Sequence, residues 1–526
     1  MQPNYDVKHI VEAINQIESS SDVNSLQDSN LHLWPLLRVS LWMNEVFGPQ
    51  PFSNTTKAQK LNMARQYIRS YRSYRRLKSQ LKKIGRRKIL FYAKSIYDTD
   101  QIDGTFFHRH IDPLIEQVDG QHSWAKIDFS HSGSDHKPNK RYPIDVLLES
   151  QIAYQWQFWR RLWKRIGLRA RVAEQNSTLE DVIDTIQKSL GKRHFTPNQI
   201  DRMVDSLRSY EWLFREVLQV LKPEVIFMTT YYFLEEMSLI LAAHQLNIPV
   251  VDVQHGKQGK YHAAYNHWQS LPPGGYDLLP DFFWVWGQES YDNMFLNRPK
   301  HVKRHLPIIG GYTWLIKWAS QPEFYTPEPH VKAFFEQIKQ TSKVILFTTQ
   351  PLDKLIPDIV TEAIRMGPSD WFWLIRMHPN SLSRREEVTQ ALQEIGAANV
   401  EVDISTAEPL YYLLRQSDHH ITGWSTVCYE ALAFNIRTTL IHPTAADLYS
   451  EYIANNTFSY AKTPQELIED IQRSSANTST SEEMPYIDTH PDRPIDAMNM
   501  ILRHSAPLPA KIKQFPSGGV NNVSSG

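Results

Sequence analysis

The 526-residue chain is too long for one hydrophobic core and calls for about two to four domains. Hydrophobic residues make up 41% and charged residues 22%, the balance of a folded globular protein; 57 basic residues against 57 acidic ones exclude a whole-molecule field that would gather nucleic acid. A single cysteine, Cys428, excludes an intrachain disulfide and a cysteine-built zinc site, as suits a reducing, cytoplasmic setting.

The start of the chain, Met1 to Asp6, lacks the charged and apolar regions of a signal peptide. The longest apolar candidate for a membrane span, Val225 to Ala243, is interrupted by Glu235 and Glu236 and falls short of the ~20 apolar residues required. Residues 1–85 read as a helical region, with Val7, Ile10, Val11 and Ile14 at helical spacing. A basic stretch runs from Arg65 to Lys88 without an acid. Residues 86–315 then read as a first α/β domain. Its strands are Lys88–Tyr92, Glu224–Met228, Pro249–Val253, Phe282–Trp286 and Leu306–Ile309, with a helix over Phe233–Leu246. The strand–helix–strand order implies parallel pairing with a right-handed crossover.

Residues 316–505 read as a second α/β domain. Strands are expected at Lys343–Phe347, Trp371–Ile375, Val400–Ile404, His419–Thr422 and Thr438–Ile441. Helices are expected over Asp358–Met366, Arg384–Ile395, Pro409–Arg415 and Ser425–Phe434. Ser474 to Glu483 reads as a loop, and residues 506–526, rich in Pro and Gly, as a disordered tail. The fold class is therefore α/β, two Rossmann-type doubly wound domains facing a cleft, with an N-terminal helical region.

Three patches at predicted strand ends carry the chemistry, because ligands of open α/β sheets bind beyond the carboxyl ends of the strands. In Gly423-Trp424-Ser425-Thr426 a strand gives way to a helix whose free N–H groups and hydroxyls suit a phosphate. Glu430, about one turn on, can accept from a ribose diol. In Arg376-Met377-His378-Pro379 the proline holds His378 extended, and strand alternation puts Arg376 and His378 on one side, where they can neutralise a diphosphate. Gln254-His255-Gly256 leads into a loop with Lys260 and His262. The His255 imidazole suits proton abstraction from a hydroxyl. No carboxylate or second histidine stands four residues from His255, so a metal site is not expected; His419-His420 reads as structural.

Together the three patches resemble the GT-B glycosyltransferases that use cytidine-nucleotide donors: the bacterial sialyl-, polysialyl- and capsule Kdo-transferases, and the related CDP-glycerol glycerophosphotransferases. The resemblance covers roughly residues 220–445. It implies that His378, Ser425 and Thr426 bind phosphate, Glu430 the ribose, and that His255 is the base. The acidic motif of the sialyltransferases is missing; Asp98, Asp100 and Asp103, beside Gly104, are the nearest alternatives for a base. The phosphate motif is Trp-Ser-Thr where the families carry Ser-Ser.

The expected function is transfer of a CMP-activated sugar of Kdo or sialic-acid type to a glycan or lipid-linked acceptor in capsule or lipopolysaccharide synthesis, with no cofactor and no metal. The alternatives are a CDP-polyol phosphotransferase of teichoic-acid type and a non-catalytic glycan-binding or export-scaffold module; epimerase-like chemistry shares the two-domain layout, but no matching Glu and His set is present. Trp156 to Val172, aromatic on one side and cationic on the other, suits peripheral contact with the cytoplasmic face of an inner membrane. No nucleic-acid partner is expected.

Overall fold

The computed structural model describes residues 7–48, 63–130, 139–167, 172, 176–473 and 486–505. Among these, two parallel sheets organise the molecule. The first has seven strands, in the spatial order Val146–Glu149, Trp124–Ser130, Ile89–Tyr92, Val225–Thr229, Val250–Val253, Phe282–Val285 and Leu306–Ile309. The second has six, in the order Val400–Glu401, Trp371–Arg376, Lys343–Thr348, His419–Thr422, Thr438–Leu440 and Ser459–Tyr460. In both, the first strand in sequence lies inside the sheet, the next two run to one side and the later ones to the other. That is the doubly wound arrangement, and it opens a crevice where the strand order reverses.

The central strands, such as Ile89–Tyr92, Val225–Thr229 and Lys343–Thr348, are buried on both faces, which explains their nearly unbroken apolar runs. Along Ile89–Tyr92 side chains alternate. Leu90 and Tyr92 enter a core with the helices Val7–Ser20, Trp34–Phe47, Pro197–Leu221 and Leu234–Gln245, whereas Ile89 and Phe91 enter the core on the opposite face. The first two helices belong to that core, so the N-terminal helical region is an integral part of the first domain. A buried ion pair between Arg38 and Glu18 (2.8 Å) ties these two helices together, and Arg38 also donates to the carbonyls of Asn266 and His267.

The expected boundaries need one correction. The helix Arg493–Ser505 was assigned to the second domain, yet its Ala497, Met498 and Ile501 pack beside Ile89, Phe91, Phe227 and Val251 of the first sheet. It shares that face of the first sheet with Ile111, Leu114, Ile115 and Val118.

Three sheet strands, Trp124–Ser130, Val146–Glu149 and Ser459–Tyr460, were not expected, and two expected elements take another form. The strand predicted over Val400–Ile404 stops at Glu401, whose carboxylate accepts from the backbone N–H groups of Asp403, Ile404 and Ser405 and so starts a helix, Asp403–Ala407. The amphipathic helix spans Tyr154–Arg165, and part of its aromatic side faces inward. Trp156 stacks on Trp212 (ring centroids 6.0 Å apart), Trp163 packs edge-on to Trp156, and Arg160 is buried against Asp205. Arg169 and Arg171 lie outside the described residues, as do the predicted loop from Ser474 to Glu483 and the tail 506–526. Among the described residues no helix is long and apolar enough to cross a membrane.

Candidate active site

A cavity of about 460 Å³ opens at the carboxyl edge of the second sheet, between its first and fourth strands in chain order, where the winding reverses. Thr348 and Thr349 line it from the end of one strand, Ser425, Thr426 and Glu430 from beyond the other, and Arg376, His378 and Pro379 from the neighbouring strand. The volume is that of an ordinary small-molecule site, about 300–1,000 Å³. Two of the three predicted patches are thus neighbours in one cavity.

His378 is extended (φ −67°, ψ 140°), as its following proline dictates. Its backbone N–H donates to Thr349 Oγ1, and its Nδ1 accepts from the Asn380 N–H at 3.1 Å. That hydrogen bond leaves the proton of the neutral ring on Nε2, so the imidazole has a donor to offer a ligand. Burial lowers its pKa, favouring the neutral ring. Arg376 does more than wait for an anion. Its Nη1 donates to the carbonyls of Ser405 and Glu408, which pins the loop bearing Ala407 to Leu410 along the cavity wall.

Gly423 is required for a different reason than a tight turn. A Cβ there would lie 2.2 Å from Gln350 Oε1, the atom that accepts the Trp424 N–H at 2.7 Å. The glycine lets the two switch-point loops touch. Glu430 is held among the Tyr411 hydroxyl, Arg109 and Asp100. Burial raises its carboxyl to about 7, against the opposing pull of Tyr411 and Arg109.

The first domain contributes to the same cavity through a hairpin, Asp98–Ile102 paired with Thr105–His108. Asp103 (φ 51°) and Gly104 (φ 74°) form its two-residue turn, both left-handed. Asp103 is therefore exposed at the tip and does not line the cavity; Asp100 does, in an ion pair with Arg109 (2.8 Å). Asp98 is buried in a pair with Lys140 (2.5 Å). Ile102 and Phe107 plug the hairpin into the second domain's core beside Trp314, fixing Asp100 and Arg109 across from Glu430. Arg109 was not anticipated, although Asp-Gly between two alternating runs is a hairpin signal.

The third patch stands apart. His255 does not line the cavity; it lies in a group of rings with Tyr97, His110 and Tyr232, at centroid distances of 5.8, 6.5 and 5.9 Å. His110 stacks on Tyr312, and Tyr312 bonds through its hydroxyl to Tyr411, which does line the cavity. His255 Nε2 pairs with the Tyr232 hydroxyl at 3.2 Å, while burial pushes its pKa down to about 3. Gln254 is a structural pin: it accepts from the Trp286 N–H and donates to the Gly256 carbonyl and Ser290. His262 is half-buried against Trp42, Lys260 is exposed, and nothing stands within 4 Å of a Cβ at Gly256. His419 and His420 are buried and hydrogen-bonded to Thr439, Thr348 and Thr438. Among the described residues no cluster of three His, Cys, Asp or Glu could hold a metal.

No known family profile matches the chain, and no curated protein matches it in sequence. By structure it is similar to a Listeria monocytogenes protein assigned as a UDP-N-acetylglucosamine 2-epimerase, at 13% identity and a TM-score of 0.50, covering 80% of this chain and 97% of the other. A UDP-GlcNAc 2-epimerase from Neisseria meningitidis, solved with UDP-GlcNAc bound, aligns over 79% of this chain and 100% of its own at 15% identity and a TM-score of 0.49. At 13% identity the likeness to the Listeria protein bears on the fold alone: two Rossmann-like domains facing a cleft, as expected from the sequence.

Proposed function

We propose that the protein is a nucleotide-sugar-dependent glycosyltransferase whose donor sits in the cavity between the domains. The observation that carries the reading is the convergence of His378, Arg376, Ser425, Thr426 and Glu430 from the second domain with Asp100 and Arg109 from the first. The solved relatives by fold include enzymes named for UDP-sugars. The order of the three motifs in sequence favours a cytidine nucleotide, with a CMP-activated sugar as donor and a surface glycan as acceptor.

In this reading the His378 Nε2–H and the Ser425 and Thr426 hydroxyls donate to the donor phosphate, and Arg376 and Arg109 face the charge that grows on it as the glycosidic bond breaks. Glu430 accepts from the ribose diol. Asp100, the one of the three candidate aspartates that lines the cavity, takes the acceptor proton. His255 stands behind His110, Tyr312 and Tyr411 from the cavity; at a pKa near 3 it is neutral but a weak base until an anionic donor enters nearby. The phospho-alditol transfer of a CDP-polyol enzyme would use the same phosphate contacts and differ in leaving phosphorus in the product.

The test is thermal stabilisation by CMP, CDP, UDP and GDP, repeated for His378→Ala. A ligand at a hundred times its Kd adds roughly 2.7 kcal/mol. Stabilisation by CMP or CDP that vanishes in the variant is the expected result. Preference for UDP discards the cytidine assignment, and indifference to every nucleotide discards the transferase. Once a donor is found, Asp100→Asn should abolish transfer while leaving nucleotide binding intact; a stronger loss in His255→Ala would move the base there.

A further inference from the structure

The basic stretch after residue 63 forms a helix, Met63–Ile84, whose outward half carries Arg69, Arg72, Arg75, Arg76, Lys82 and Lys83, all exposed and none in an ion pair with a described residue. Most charged surface helices mix signs; this face holds no acid. Two large apolar side chains sit among the cations, Ile68 at 50% exposure and Tyr71 at 48%. The buried side of the helix, with Ser70, Ser73, Leu77 and Leu81, points into the domain, so the arrangement is fixed by packing.

The helix Tyr154–Arg165 lies against it, Tyr67 meeting Phe158 at 6.3 Å. Its inner face is spent on Trp212 and Asp205, but Trp159 stays 40% exposed, and Ile166 just beyond the helix 56%. A groove of about 490 Å³ between the basic helix and Glu149 and Gln151 is lined by Ile68, Arg69, Arg72 and Arg76. Cations without an ion-pair partner among the described residues, flanking exposed Trp, Tyr and Ile, match a bilayer interface with anionic headgroups, where cations meet phosphates and amphipathic rings enter the headgroup layer.

Position adds a second argument. Ser70 Oγ donates to the Ile152 carbonyl and Ser73 Oγ to Glu149, which pins the first half of the basic helix to the carboxyl end of the Val146–Glu149 strand. All strands of this sheet are parallel, so this is the edge at which Val250–Val253 delivers His255. The two strands are four spacings apart, or about 19 Å.

We propose that this two-helix face docks the protein on an anionic lipid bilayer, with the cleft edge turned along the membrane so that a lipid-linked acceptor can reach it. Docking stands independently of the nucleotide reading; the identity of the acceptor rests on it.

The experiment is co-sedimentation of the full chain with vesicles of phosphatidylcholine alone and of phosphatidylcholine mixed with phosphatidylglycerol. It is repeated at raised salt and for two variants, Arg69→Glu/Arg72→Glu/Arg76→Glu and Tyr71→Ser/Trp159→Ser. Expected are binding only with phosphatidylglycerol, weakening with salt, and a loss of at least about tenfold in the charge variant and several-fold in the aromatic one. Both variants should keep the wild-type melting temperature and nucleotide response, since none of these residues lines the cavity. Equal binding to neutral vesicles, unchanged binding by the charge variant, or tighter binding to duplex DNA than to the anionic vesicles overturns the proposal. Docking by a chain that binds no nucleotide would support this face and refute the reading of the cleft.

Discussion

At the scale of single residues, His378 and Glu430 make separable predictions. His378 is a neutral donor set by one backbone hydrogen bond, and a well-placed donor of this kind is worth about 3 kcal/mol in the transition state. His378→Ala should therefore cost about a hundredfold in rate, measured as kcat/KM with the donor found by nucleotide screening; full retention sinks its phosphate role. Glu430 has a carboxyl raised from its ordinary value to about 7 by burial. The folded state then holds a proton that the unfolded chain has released, so this group's effect on stability is neutral below its ordinary pKa. It turns increasingly unfavourable as pH rises from about 4.5 to 7, and reaches on the order of 2 kcal/mol after allowance for partial exposure. Glu430→Gln should remove that penalty. Melting curves of the two proteins should coincide near pH 4.5 and diverge toward pH 8 with the variant higher; a constant difference would mean the carboxyl titrates normally. The same variant should weaken nucleotide binding, because an amide accepts less strongly from a diol.

At the scale of elements, ten of the thirteen parallel strands were legible, the central ones because each is a short, doubly buried apolar run; Trp124–Ser130, with Lys126 and Asp128 in it, Val146–Glu149 and the two-residue Ser459–Tyr460 lack that signal and were not read. Two of the site's patches were legible because they stand at the ends of such strands. What could not be read was contact between elements. The hairpin Asp98–His108 is polar on much of its length, and its role depends on Ile102 and Phe107 entering a core built some two hundred residues later. Arg376 reads in sequence as an anion binder; its hold on the Ser405 and Glu408 carbonyls depends on a helix started by Glu401. The glycines separate these cases experimentally. Gly423→Ala meets only the tip of Gln350, which can swing away at the loss of one hydrogen bond, about 1 kcal/mol, and a looser switch point. Gly310→Ala drives a Cβ to 1.9 Å from the buried Trp284 ring, which has no room to yield, and should cost about 3 kcal/mol or more. Chemical denaturation should rank the two in that order, with the nucleotide response impaired by the Gly423 change and kept by any folded Gly310 variant. The reverse ranking would mean that the Trp284 packing is softer than its burial implies.

At the scale of the whole molecule, the contacts that fasten the two domains among the described residues include the first domain's hairpin, which enters the second domain's core, the Arg493–Ser505 helix, which returns to the first sheet, and the Tyr452 hydroxyl, which donates to Glu289. The return explains why a boundary drawn once through the sequence misassigns the end of the chain. The Trp286 carbonyl accepts the Asp488 N–H at 2.7 Å, and Met498, fully buried, fills the face over Ile89, Phe91 and Phe227. Removing the Met498 side chain beyond Cβ leaves a cavity against the first sheet and should cost about 2–5 kcal/mol. Because stability is distributed in cooperative units, that loss should be local to the first domain. Hydrogen exchange read by mass spectrometry on Met498→Ala should show faster exchange in Ile89–Tyr92 and Val225–Thr229, with Lys343–Thr348 and His419–Thr422 close to wild type. Faster exchange confined to the second sheet would mean the helix belongs to the second domain. Equal acceleration in both would mean the two domains unfold as one unit, with the hairpin's contact strong enough to transmit the loss across the cleft.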